Sequence, residues 1–247
     1  MKPFDSVHFS LLLAIAGFAI LLAYLVRNQL VPSRPVRIGL ALVLAGNELF
    51  RYFHYGIQFP DNLPLHLCSI STWMAVIACL TLAPAAVEFA YFEGLAGATL
   101  ALINPDLPGR VKANPVSYEA IRYFIEHGGI VIAVSALLFG RIVTLRPGAL
   151  LRGHNMWFAY GMFLLGFNWL FGTNYLYLSR KPLHPSLLDY LGPWPLYLVA
   201  GELVAVVLFW LLWLPFRARA APVEIAATRS ESYSSRSTSS GLRLRRR

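Results

Sequence analysis

Asn62-Leu63-Pro64-Leu65-His66-Leu67-Cys68-Ser69 carries a short polar turn into an apolar run, 65–83, of a length that can cross a bilayer as a helix. A membrane helix has little reason to open with an imidazole and a thiol two residues apart unless those groups act or find partners. Reading this entrance as the start of a transmembrane helix decides the fold, because six further runs follow the same logic: 8–26, 36–56, 85–103, 120–140, 155–175 and 194–215. The fold class is therefore all-α, a polytopic membrane helix bundle with about seven transmembrane helices. The run at 85–103 is the weakest of them, since it carries Glu88 and Glu93 and follows Pro84 directly.

Composition agrees. The chain is 57% hydrophobic and only 13% charged, where soluble domains carry about 25% charged residues. Two cysteines make no disulfide framework, no Cys-x-x-Cys metal pattern occurs, and no cofactor or metal is expected. The net charge of +9 would suggest nucleic acid if it were spread over a domain, but residues 217–247 hold eight Arg and only two Glu. No nucleic-acid partner is expected. Residues 1–216 then form the membrane domain, and 217–247 a disordered basic Arg/Ser-rich tail that solvates or rests on anionic lipid. The first run is too long for a cleavable signal peptide and lacks a small-residue cleavage site.

Arginine placement orients the bundle. Arg27, Arg34 and Arg37, then Arg141, Arg146 and Arg152, then the tail, fall on alternate connections. The positive-inside rule puts the amino terminus outside and the carboxyl terminus in the cytoplasm. Depth then sorts the polar residues. His8, Asn47, Glu48, Arg51, His54, His66, Cys68, Arg122, Glu126, His127, Asn168 and Asn174 share the outer half, whereas Glu88, Glu93 and Glu202 lie nearer mid-depth or the inner leaflet. Charges at bilayer depth cost roughly 2.5–3.5 kcal/mol on insertion scales, so this set implies a wet cavity and mutual pairing. Arg122 and Glu126 are four apart and neutralise each other, and Arg51 with Glu48 forms an ion pair or holds a phosphate.

Cys68 is the strongest nucleophile in that zone, or else a small buried hydrophobe. His127 sits at a comparable depth to serve as its base. On an ideal helix His66 points about 160° away from Cys68, which makes it the weaker partner unless the helix begins after it. Gly128 and Gly129 admit a close helix neighbour. Asn168 and Asn174 bridge helices or donate to an oxyanion, and Lys181 meets lipid headgroups or water. The seventh run has no Lys for a retinal Schiff base. The histidines gather on one side, which leaves haem-based electron transfer across the membrane without a second ligand pair. A non-enzymatic small-solute transporter or a membrane sensor with a polar pocket is the competing class.

Leu63-Pro64-Leu65-His66-Leu67-Cys68, Tyr123-Phe124-Ile125-Glu126-His127-Gly128, Asn168-Trp169 and Thr173-Asn174-Tyr175-Leu176-Tyr177-Leu178 with Lys181-Pro182 together resemble a known family in order and spacing. It is the YwaF-like family of bacterial integral membrane proteins, related to the eukaryotic transmembrane protein 164 family. The resemblance implies a multi-pass protein of the cell membrane that transfers a fatty acyl chain between phospholipid and lysophospholipid through a cysteine thioester. Cys68 would be the acyl-accepting nucleophile and His127 its base. Glu48, Arg51, His66, Arg122, Asn168, Asn174, Tyr175 and Lys181 would support the site or bind a membrane phospholipid.

Overall fold

The structure, a computed structural model, describes residues 5–105, 116–183 and 186–219. Arg110, Lys112 and nearly all of the basic tail lie outside the described residues. Among those described no strand forms, and seven helices follow one another: α1 (Ser6–Arg27), α2 (Ser33–Tyr55), α3 (Leu67–Thr81), α4 (Pro84–Ile103), α5 (Tyr118–Leu138), α6 (Ala149–Phe171) and α7 (Leu196–Trp213). The expected all-helical bundle is thus observed, with seven helices.

Local chemistry sets several boundaries. Asp5 caps α1 by accepting from the His8 N–H at 2.8 Å, and Ser117 caps α5 through the Ala120 N–H at 3.4 Å. Pro84 occupies the first position of α4, where its missing N–H costs nothing. Gly172, at φ +70°, ends α6 in the left-handed region that a side chain disfavours. Within α4 the segment Ala90–Leu95 widens into a π-helix.

Two expected boundaries move. The run expected at 65–83 is helical only from Leu67 to Thr81, because the chain turns at Pro64 through a bond from Leu65 N–H to Leu63 O, His66 stays extended, and Leu82 turns left-handed before Pro84. The run expected at 155–175 begins at Ala149, so Arg152, assigned above to a loop, lies in the first turns of α6. Arg152 is tolerated there because it has a carboxylate partner on α4. Among the described residues, only α1, α4, α5 and the helix from Leu196 are long and apolar enough to cross a membrane by themselves. Helix α3 is too short, at 15 residues, while α2 and α6 carry charges and amides along their length.

Close packing follows from small residues. Helix α5 sits among α1, α2, α3 and α4, and α6 and α7 pack on the far side of α4. A Cβ on Gly128 would stand 2.9 Å from Ile15 of α1, and one on Gly129 would stand 2.8 Å from Leu44 of α2. Gly153 of α6 lies under the Phe92 ring in the same way.

Hydrogen bonds show that successive helices alternate in direction. At one end His8 Nε2 donates to Leu102 O (2.8 Å), Asn47 Nδ2 to Arg122 O (3.4 Å) and Tyr123 Oη to Ala101 O (2.6 Å). At the other, Arg37 Nη1 donates to Cys79 O (2.6 Å) and Tyr91 Oη to Leu212 O (2.6 Å). Cys79 itself is fully buried among apolar side chains. At this second end Glu88 of α4 accepts four N–H bonds, two from Arg146 and two from Arg152, at 2.7–3.0 Å.

Replacing Glu88 by Ala leaves two guanidinium groups without their anion. Their side chains are 47% and 39% exposed, so the cost falls below the 3–5 kcal/mol of a fully buried pair, to about 2 kcal/mol. The thermal midpoint in micelles should drop by about 4–8 °C, and Arg146→Ala should cost less than half of that because Arg152 retains its bidentate grip. An unchanged midpoint for Glu88→Ala would refute the bridge.

Candidate active site

The connection between α2 and α3 is hung from three side chains. Tyr175 Oη accepts the Leu63 N–H at 2.8 Å and donates to Pro60 O at 2.7 Å. Tyr160 of α6 donates to Leu65 O at 2.7 Å, and Asn62 Nδ2 closes the turn onto Gly56 O at 2.8 Å. The result is a fixed approach to α3, which delivers His66 at the helix N-cap and Cys68 in the first turn.

That start changes the reading of His66. The angle of about 160° presumed that His66 already belonged to the helix; its extended backbone (φ −70°, ψ 151°) removes that premise. The imidazole packs instead against Tyr175 and Tyr177, with ring centroids 5.1 and 6.1 Å away.

Cys68 is a free, half-buried thiol. No side chain caps α3, so the first backbone N–H groups of the helix, that of Cys68 among them, have no intrahelical partner. Two ion pairs flank this turn. Arg51 binds Glu48 at 2.9 Å and reaches Ser69 Oγ at 3.5 Å, and Arg122 binds Glu126 at 2.6 Å. Both pairings expected from i, i+3 and i, i+4 spacing are therefore present. His54 stays with Tyr55 and Tyr118 (ring centroids 4.7 Å each), at the edge of the zone.

His127 is buried on α5, one residue past Glu126. Its Nδ1 lies 2.8 Å from Tyr123 O, and a carbonyl only accepts, so Nδ1 carries the proton and Nε2 is the basic nitrogen of the neutral ring. Helices α3 and α5 pack directly together. Among the described residues no hydrogen bond yet joins the imidazole to the Cys68 sulfur.

The two asparagines are engaged elsewhere. Asn168 accepts from Tyr175 N (2.9 Å) and Thr173 Oγ1 (2.8 Å) and donates to Tyr175 O (2.9 Å). Asn174 accepts from Ser179 N and Arg180 N and donates to Arg180 O. Both amides build the loop that carries Tyr175 and Lys181, a task distinct from the expected oxyanion contact. Lys181 stands 3.7 Å from Asp189 and over the Tyr197 ring. Sequence reasoning passed over Tyr160. A tyrosine inside an apolar helix needs a partner for its hydroxyl, and that requirement was the available signal.

Fold and site together define an integral membrane helix bundle with a half-buried thiol at the start of a short helix, surrounded by paired charges and a buried histidine. The chain belongs to the TMEM164 family, whose sequence profile it matches over residues 3–213. Comparison with curated proteins and with solved structures yields no match.

Tyr175→Phe removes one donor and one acceptor from the α2–α3 connection. We expect it to lower stability by about 1–3 kcal/mol and to speed amide exchange at Leu63 while leaving exchange in the middle of α5 unchanged. Unaltered protection of Leu63 would show that the hydroxyl does not hold the turn.

Proposed function

We propose that this protein is a YwaF-like member of its family that moves fatty acyl chains between phospholipid and lysophospholipid, with Cys68 as the acyl carrier. The observation that carries the reading is the uncapped start of α3, which places a thiol beside unsatisfied backbone N–H groups. A helix N-terminus favours thiolate over thiol and supplies donors for a developing oxyanion.

In this proposal His127 Nε2 takes the Cys68 proton and the sulfur attacks the ester carbonyl of a phospholipid. The carbonyl oxygen gathers negative charge, which the first-turn N–H groups of α3 meet in place of the Asn168 and Asn174 amides. When the carbon–oxygen bond breaks, the His127 imidazolium returns its proton to the departing glycerol oxygen, leaving a lysophospholipid and an acyl thioester. The hydroxyl of a second lysophospholipid, deprotonated by His127, attacks the thioester, and the sulfur leaves as thiolate and is reprotonated. Arg51 and Arg122 face phosphate, Lys181 the headgroup zone, and His66 with Tyr175 position the turn. Glu48 holds Arg51 in place.

We place the protein in the cell membrane with this site in the outer half, since Arg27, Arg34, Arg37, Arg141, Arg146 and Arg152 mark the other end as the cytoplasmic one. The basic tail then meets anionic lipid of the inner leaflet.

Intact-mass analysis of the purified protein, incubated with phospholipid, should show an added acyl mass that hydroxylamine removes. Cys68→Ala should abolish it, and His127→Gln should slow its appearance by about 10²–10⁴-fold. Persistence of the acyl mass in Cys68→Ala would defeat the proposal.

A further inference from the structure

Away from Cys68, helices α4, α6 and α7 frame a half-open cavity of 790 Å³ whose lining is almost wholly apolar. That volume lies within the roughly 300–1,000 Å³ typical of small-molecule sites. On its wall is Glu93, in the π-helical segment of α4, a helix form that often marks functional positions. Glu93 is 1% exposed, and among the described residues neither of its carboxylate oxygens has a hydrogen-bond partner. The other carboxylates of the bundle interior have partners: Glu48 pairs with Arg51, Glu126 with Arg122, and Glu88 with two arginines.

The chemistry of the cavity favours one sign of charge. Its second acidic residue, Glu202, accepts from Trp157 Nε1 at 2.8 Å and has His154 Nδ1 at 3.5 Å. Among the described residues that line it there is no Lys, Arg or His. A carboxylate-bearing or phosphate-bearing ligand would therefore meet two acids and, among those residues, no cation. An ammonium group would meet two acids and the faces of Trp157 and Phe158, which attract cations. An isolated carboxylate in an apolar wall costs several kcal/mol unless it is neutralised or paired, so a ligand that supplies N–H donors gains what the protein itself does not provide.

We propose that this cavity is a binding site for a single-chain amphiphile bearing an amine, with Glu93 as its counter-ion and the alkyl chain laid between α6 and α7. Leu67, next to Cys68, lines the same cavity, but the site does not involve the thiol and does not rest on acyl transfer. Two glycines of the lining, Gly161 and Gly201, have open space where a Cβ would stand, so bulk placed there enters the cavity without striking the backbone.

The test uses the full chain in lipid nanodiscs and three photoreactive sixteen-carbon probes that differ only in headgroup: amine, alcohol and carboxylate. The amine should label peptides of α4, α6 and α7 about tenfold more than the alcohol, as one charge-assisted hydrogen bond provides, and the carboxylate least of all. Glu93→Gln should bring amine labelling down to the level of the alcohol. Gly161→Trp should suppress labelling by all three, and Cys68→Ala should change none of them. Equal labelling by the three probes, preference for the carboxylate, or amine labelling that survives Glu93→Gln would overturn the proposal. Labelling that survives Gly161→Trp would overturn the location.

Discussion

Charge neutralisation inside hydrocarbon is the constraint on which this structure depends. A carboxylate at bilayer depth has no water to solvate it, so each must meet a cation or a set of donors. Glu48 does so within α2 and Glu126 within α5, at i, i+3 and i, i+4 spacing, so those two pairs form with the helices themselves. Glu88 does so across elements, and its link to Arg146 and Arg152 fixes α4 against the α5–α6 connection and the start of α6. The Glu88 bridge is the one that shapes the tertiary fold, because it is the one that cannot form until three elements meet. Glu93 departs from the pattern, and it does so beside a cavity.

The same constraint explains why α3 is short. A helix that started at Leu65 would carry His66 into the first turn and bury its imidazole with no defined partner. The chain instead stays extended through His66 and hands its backbone groups to Tyr175 and Tyr160, which lie on the segment after α6 and on α6 itself. Those tyrosines bring two distant parts of the sequence together at the one turn that presents Cys68. The cost is an uncapped helix start, and that is also what makes the turn chemically useful, since unsatisfied N–H groups lie beside the sulfur.

Local periodicity and composition made the helix bundle legible, because apolar runs of membrane length leave few alternatives. The Arg51–Glu48 and Arg122–Glu126 pairs were legible for the same reason: spacing along one helix is a sequence property. The start of α6 was not. Arg152 looked like a loop residue until Glu88, 64 positions earlier, was seen to hold it. The loop partners of Asn168 and Asn174 were not legible for a related reason. An asparagine near a helix end has many possible partners, and only the folded loop shows that Tyr175, Ser179 and Arg180 take them. Contacts made within a few residues could be read from the chain, whereas contacts across it could not.

The bundle thus has two polar regions with opposite logic. Around Cys68 the charges are already matched, so a substrate brought there meets a nearly neutral field in which fixed backbone dipoles can dominate. Around Glu93 the charge is unmatched, and an incoming ligand must supply what is missing. The first arrangement suits a transient charge that appears during reaction, because nothing has to be displaced when an oxyanion forms. The second suits a resident charge on a bound molecule, because an ammonium group there supplies the partner that the Glu93 carboxyl lacks among the described residues. Leu67 is the structural link between them, with its side chain against Gly97 of α4 and on the cavity wall while the next residue carries the thiol.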